Sequence, residues 1–242
     1  MNPGVDFGPR LVLVRHGQTD ANVKRALDSR PPGSPLNATG REQAERVADR
    51  LATEPVVAVY ASVAPRARQT AAPIAARHGL AVEVVTDLHE IFCGDYEGRA
   101  DHEARKHFDD VYRRWVSGEL DLRMPGGESA AEVRDRMLPV LTELWRRHAD
   151  RPDAAVVVVS HGGAIQHAAR AMIDDYRTTR YVPNTGRVEL VPTSSPDRVG
   201  DGGPSGWRLE CWETAAGAGV PDPRGDVTGG AHEPGTEQPG TE

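Results

Sequence analysis

The sequence predicts an α/β fold: a three-layer α/β/α sandwich whose mostly parallel, doubly wound sheet is flanked by helices. Three observations lead there. Two fully apolar runs, Leu11-Val12-Leu13-Val14 and Val156-Val157-Val158-Val159, have the unbroken aliphatic character of strands covered on both faces. Shorter apolar runs alternate with segments whose apolar residues recur at helical spacing. Both long runs end on chemistry, Arg15-His16-Gly17 and Ser160-His161-Gly162. Ligands of open α/β sheets sit beyond the carboxyl ends of strands, so these two ends are where a site belongs.

The elements follow in order. The first strand covers residues 11–14, and residues 20–37 form a loop, because Arg30-Pro31-Pro32-Gly33-Ser34-Pro35 cannot continue a helix or a central strand. Thr39 with Glu42 has the capping-box pattern, and Ala44, Val47, Ala48 and Leu51 follow at helical spacing. Pro55 ends that helix, and residues 56–60 are the second strand. A helix over residues 62–78 has Pro65 in its first turn and Gly79 at its end; residues 81–85 are the third strand. Residues 94–127 are less regular apart from a helix over 101–117. Ser129-Ala130-Ala131-Glu132 is a second capping box, ahead of Val133, Met137, Val140, Leu141 and Leu144. Residues 154–160 are the fourth strand and 163–173 the helix after it. Residues 188–191 and 207–212 are the last strands, joined by a turn-rich loop over 193–206. The alternation in Trp207-Arg208-Leu209-Glu210-Cys211-Trp212 marks a half-exposed edge, where a homodimer could pair.

Composition narrows the classes of function. The 242 residues suit one domain over 10–214, after a flexible N-terminus at 1–9 and before a disordered acidic Gly/Pro-rich tail at 215–242. The formal net charge is −7, and beyond Ala215 five acids stand against Arg224 alone, so most of that charge lies in the tail. The remaining near-neutral domain offers no general field for nucleic acid or an anionic membrane. No stretch approaches the ~18 to 20 apolar residues of a membrane span, and residues 1–9 lack a signal pattern, so a cytoplasmic location is expected. Cys93 and Cys211 stand outside any Cys-x-x-Cys, which fits a reducing compartment and excludes a thiolate zinc site.

The two strand ends suit phosphoryl chemistry: imidazole is a competent nucleophile at neutral pH, and guanidinium grips phosphate oxygens in a planar fork. Between them lie Ser62-Val63-Ala64-Pro65-Arg66-Ala67-Arg68-Gln69-Thr70-Ala71 and Leu88-His89-Glu90-Ile91-Phe92-Cys93-Gly94-Asp95-Tyr96-Glu97-Gly98. Taken jointly and in order, these four blocks resemble the histidine phosphatase superfamily, the phosphoglycerate mutase-like group, in its branch with Arg-His-Gly-(Glu/Gln)-(Ser/Thr). The resemblance spans residues 11–212. It implies His16 as a nucleophile forming a phosphohistidine, with Glu90 as general acid and then base. Arg15, Arg66 and His161 match the family positions that cradle the phosphoryl group, and Asn22 and Gly162 join them as phosphate-binding residues. It implies no metal and no cofactor, since the arginines and histidines neutralise the charge, and a small-molecule phosphate ester as partner.

The remaining features have plainer readings. His78 suits a helix C-terminus, His102, His107 and His148 charged helix faces, and His167 a packed or solvated position. In extended backbone His89 points away from Glu90. Met124-Pro125-Gly126-Gly127-Glu128-Ser129 is a turn before a helix, matching a family loop that faces substrate. Many members carry Gly-x-x-Asp-x-x-Leu where this chain has Gly33 and Leu36 without the aspartate, so substrate contacts from that loop are not implied. A phosphatase is favoured over a cofactor-dependent phosphoglycerate mutase, because residues 98–127 lack the long closing insertion of mutases. A non-enzymatic phosphate-binding domain is weaker still, since His16 and Glu90 are both present.

Overall fold

In a computed structural model, which describes residues 7–173, 181–193 and 206–214, six strands make one sheet. The tail at 215–242, residues 1–6 and the interior of the 193–206 loop lie outside the described residues. The strands are β1 (Arg10–Arg15), β2 (Val56–Ser62), β3 (Val82–Val85), β4 (Ala155–Ser160), β5 (Arg187–Pro192) and β6 (Trp207–Trp212), in the order β3-β2-β4-β1-β5-β6. The first four run parallel; β5 is antiparallel to β1 and β6 to β5. The last pair thus departs from the parallel pattern, since antiparallel neighbours need no crossover helix between them. β6 is an edge strand in which Arg208 and Glu210 are exposed between buried or half-buried Trp207, Leu209 and Cys211, as its sequence predicts, while Trp212 breaks the alternation and is buried.

Alternate residues of the central strands feed two cores. Leu11, Leu13, Val156 and Val158 face one side, against α4 (His102–Val116), α5 (Ala130–Arg146) and α6 (Gly162–Ile173). Val12, Val14, Val157 and Val159 face the other, against α2 (Ala38–Leu51) and α3 (Pro65–Arg77). Being covered on both faces is what makes these runs continuously aliphatic, each such side chain contributing about 1.5 to 3 kcal/mol on burial.

Two local expectations are corrected. A short helix, α1 (Asp20–Lys24), opens the segment read as loop. Thr19 Oγ1 accepts from Asn22 N (3.1 Å) and Asn22 Oδ1 accepts from Thr19 N (3.1 Å). Asparagine thus closes a capping box in which sequence reasoning looks for Glu or Gln. The helix stops at Arg25, whose φ is 58°. At α2 the cap is Asn37, not Thr39: Asn37 Oδ1 accepts from Gly40 N (2.8 Å). Gly40 is pressed against the Gln18 backbone, where any Cβ would collide, and this contact fixes where the helix begins. At α5, the Ser129–Glu132 capping box forms as predicted, and α3 begins with Pro65 at its first position.

Candidate active site

The β1/β4 register builds the centre of the site. Arg15 pairs with Ser160, so the next residues of both strands, His16 and His161, emerge side by side. Their rings meet edge to face with centroids 5.1 Å apart, and His16 N donates to Ser160 O (3.0 Å). His16 Nδ1 lies 2.7 Å from Gly17 O, a carbonyl that can only accept. Nδ1 therefore carries the proton, and the lone pair is on Nε2. Arg66 Nε donates to that Nε2 (3.2 Å). His161 Nε2 pairs with Ser62 Oγ at the end of β2 (3.0 Å), while its Nδ1 has no hydrogen-bond partner among the described residues. Burial, then the charges of Arg66, His16, His89 and Arg136, hold the His161 pKa well below the usual histidine range, so its ring is neutral at pH 7.

Both arginines are buried and aimed by backbone carbonyls. Arg66, in the first turn of α3 and 2% exposed, donates from Nη2 to Asp28 O (3.0 Å), with Nη1 3.6 Å from Asp28 Oδ2. Arg15, fully buried, donates from Nη1 to Val182 O (2.9 Å) and to the Tyr181 hydroxyl. Asn22 is buried beside them. Its Oδ1 accepts from Thr19 N and Asn184 Nδ2, which leaves the Nδ2 end as its donor.

Glu90 follows the turn after β3 and is 6% exposed. Its Oε1 accepts from Ile91 N (2.9 Å) and Ala164 N (2.9 Å), and its Oε2 from Gly163 N (3.1 Å). Two of these donors belong to the opening turn of α6, which begins at Gly162 directly after His161. Three backbone donors and a helix N-terminus all favour the ionised carboxylate. Glu128 is committed elsewhere, in a two-toothed pair with Arg136 (2.8 and 3.0 Å) and as acceptor from Phe92 N (2.9 Å). Arg136 also donates to Asp87 O and Glu90 O, so the Gly126-Gly127-Glu128 loop braces the Glu90 segment from outside.

All seven residues singled out by sequence, Arg15, His16, Asn22, Arg66, Glu90, His161 and Gly162, stand on these neighbouring segments. Five further residues were missed: Ser62 on His161; Thr70, which accepts from Gly17 N (3.0 Å); Asn184, which donates to His16 O (3.0 Å); Tyr181 on Arg15; and Asp28 on Arg66. Of these only Thr70, one helical turn beyond Arg66 on the same face, has a sequence signal. His89 does lie apart from the Glu90 carboxylate, its ring stacked flat on Phe92 (4.3 Å, 2°). His167 is packed between Tyr112 and Trp115, and burial drives its pKa down to about 3.

Known proteins match this chain in sequence and fold. A family model for the histidine phosphatase superfamily (branch 1) matches residues 11–195. A phosphoglycerate mutase-like protein 4 of Arabidopsis thaliana is 35% identical over 86% of this chain and 86% of its own. A glucosyl-3-phosphoglycerate phosphatase of Mycolicibacterium vanbaalenii is 32% identical over 86% of this chain and 95% of its own. The solved structure of a mycobacterial glucosyl-3-phosphoglycerate phosphatase superposes with a TM-score of 0.72 at 30% identity, covering 86% of this chain and 100% of that one. With the family model matching most of the chain and these relatives similar to it over most of their length, the chain belongs to branch 1 of the histidine phosphatase superfamily.

Proposed function

We propose that this protein is a phosphatase that hydrolyses a small phosphomonoester through a phosphohistidine on His16. The observation that carries this reading is the state of His16. Its Nδ1 proton is tied to Gly17 O, and its Nε2 lone pair lies under the Arg66 guanidinium inside a buried ring of donors. In the first step Nε2 bonds to phosphorus as the ester P–O bond breaks. The departing alkoxide takes a proton from Glu90. In the second step water bonds to phosphorus, Glu90 takes the water's proton, and the N–P bond breaks to release inorganic phosphate and restore His16. Arg15, Arg66, His161, the Asn22 amide and the Gly162 N–H hold the three phosphoryl oxygens.

Glu90 needs a proton for the first step, although its three N–H partners favour the anion. A bound phosphate dianion supplies the opposing effect, raising the carboxyl pKa as it arrives. A phosphatase also fits the connection from Gly98 to Ser129, which holds α4 and no closing insertion of the mutase kind. Cytoplasmic residence accords with two cysteines, Cys93 and Cys211, that form no disulfide among the described residues. The test is phosphate release from a panel of small phosphomonoesters with and without EDTA. Release from at least one ester, unaffected by chelator, is expected. No release from any, or loss with EDTA restored by a divalent ion, contradicts the proposal.

A further inference from the structure

To hold a phosphoryl oxygen His161 must give a hydrogen bond, and a neutral imidazole has one N–H to give. Which nitrogen carries that proton depends on what surrounds the ring. β2 and β4 are parallel neighbours, with Ala61 opposite Val159. Ser62 is the last residue of β2, and His161 directly follows Ser160, the last residue of β4. Sheet order therefore brings a hydroxyl against the ring across 99 residues of sequence. Both side chains are fully buried. Nε2 lies 3.0 Å from Ser62 Oγ, and Nδ1 has no hydrogen-bond partner among the described residues.

Two arrangements of protons satisfy this contact. In one, Nδ1 carries the ring proton and the Ser62 O–H donates to the Nε2 lone pair. In the other, Nε2 donates to Ser62 Oγ, whose own O–H then needs an acceptor. Among the described residues the Ser62 side chain has His161 as its one hydrogen-bond partner. The second arrangement thus strands a buried hydroxyl proton, and an unmet buried donor is costlier than a made bond is favourable. It also turns the Nδ1 lone pair toward the cradle, where it would face the lone pairs of a phosphoryl oxygen. Burial and the charge of Arg66 keep the ring neutral, so the choice of tautomer has consequences. A doubly protonated ring would offer both N–H groups whatever Ser62 did.

We infer that Ser62 is a positioning residue: its hydroxyl donates to His161 Nε2 and fixes the Nδ1–H tautomer, which presents the ring's one donor to a phosphoryl oxygen. What that donor meets rests on the phosphatase reading. The two histidines are then set in opposition by their anchors. Both carry the proton on Nδ1, and their rings meet edge to face at 5.1 Å. The His16 proton is tied to Gly17 O, which leaves Nε2 bare as a nucleophile. The His161 lone pair is tied to Ser62, which leaves Nδ1–H as a donor. A carbonyl on one ring and a hydroxyl on the other give the same tautomer opposite tasks.

Nitrogen NMR of protein isotopically labelled in its histidine rings reads the tautomer without turnover, because a nitrogen bearing a proton and one bearing a lone pair resonate far apart. The His161 signals are those missing from His161→Gln. In the unmodified protein the proton is expected on Nδ1 and the lone pair on Nε2, with the Nδ1 signal moving when inorganic phosphate is added. In Ser62→Ala the proton is expected to pass in part to Nε2, since neither nitrogen is then held; Ser62→Thr, which keeps the hydroxyl, retains it on Nδ1. Ser62→Ala is further expected to lower kcat/KM by about tenfold on alkyl phosphates and p-nitrophenyl phosphate alike, because the phosphoryl oxygens are common to both. A proton on Nε2 in the unmodified protein, or a Ser62→Ala protein whose His161 keeps it on Nδ1 alone, overturns the inference. Failure of the phosphatase reading shows separately, as no phosphate release from any ester by a protein whose His161 carries its proton on Nδ1.

Discussion

The strand-end cradle and the loop-built mouth use the same residue types under opposite conditions. Arg15, His16, Arg66 and His161 are at most 2% exposed, and backbone carbonyls, Ser62 and one another fix their orientation. Arg30 and His89 stand on loops, partly in water, and are oriented by stacking on Phe92. On the function proposed, the cradle handles what every phosphomonoester shares, and a group that is always the same can be met by a rigid, desolvated ring of donors. The mouth handles what differs between esters, and loops change without disturbing the sheet.

Substitutions sharpen or break that contrast. His16→Ala is expected to lower kcat/KM by about ten-thousand-fold or more on every substrate, because water cannot bypass the nucleophile at a comparable rate. A comparable loss on one class of ester only would move His16 from cradle to mouth. Glu90→Gln is expected to slow alkyl phosphates by about a hundred- to ten-thousand-fold and p-nitrophenyl phosphate far less, since nitrophenolate needs little protonation. Equal slowing of formation of the phosphoenzyme in single turnovers would remove Glu90 from leaving-group protonation. Glu128, locked to Arg136, is no substitute for it.

Gly33→Ala tests whether the two regions are independent. The added methyl meets Arg66 Nη1 and requires positive φ from a residue that avoids it. A loss of about ten- to a hundred-fold in kcat/KM on all esters alike is expected, because the mouth loop then displaces a cradle residue. Selective loss on one class of ester would show that the loop acts only as mouth.

The smallest effect concerns stability. Between pH about 6.5 and about 3 the unfolded chain takes up the proton that buried His167 refuses. Stability therefore falls as the pH is lowered through that window, by at most about 1.4 kcal/mol per pH unit from this residue. Relative to the unmodified protein, His167→Phe should flatten the acid side of the Tm profile. An unchanged slope would mean that His167 is not the residue responsible.

The same contrast governs what can be read from sequence. His16 and His161 are legible because each ends a solid aliphatic run, and β1 and β4 pair in register, so equivalent positions become neighbours. Arg66 and Glu90 come into view through the ordered set of blocks. Ser62 and Asn184 acquire their partners through sheet order and a loop return, across 99 and 168 residues, and a lone serine or asparagine carries no periodic mark. Arg30 and Phe92 meet for the same kind of reason, through stitches by Ser29, Cys93 and Glu97. At α1 the difficulty was local chemistry, an asparagine closing the capping box, which also fixes the donor end of Asn22.

The central claim is a covalent bond between His16 and phosphorus, and it can be trapped. Protein mixed with a radiolabelled phosphomonoester is quenched in alkali within milliseconds, and the label is then challenged with acid. The account predicts label bound to protein that survives alkali, is lost in acid, maps to the peptide carrying Arg15-His16-Gly17, and is absent from His16→Ala. A fully active protein that never carries label, or carries it undiminished in His16→Ala, would contradict it.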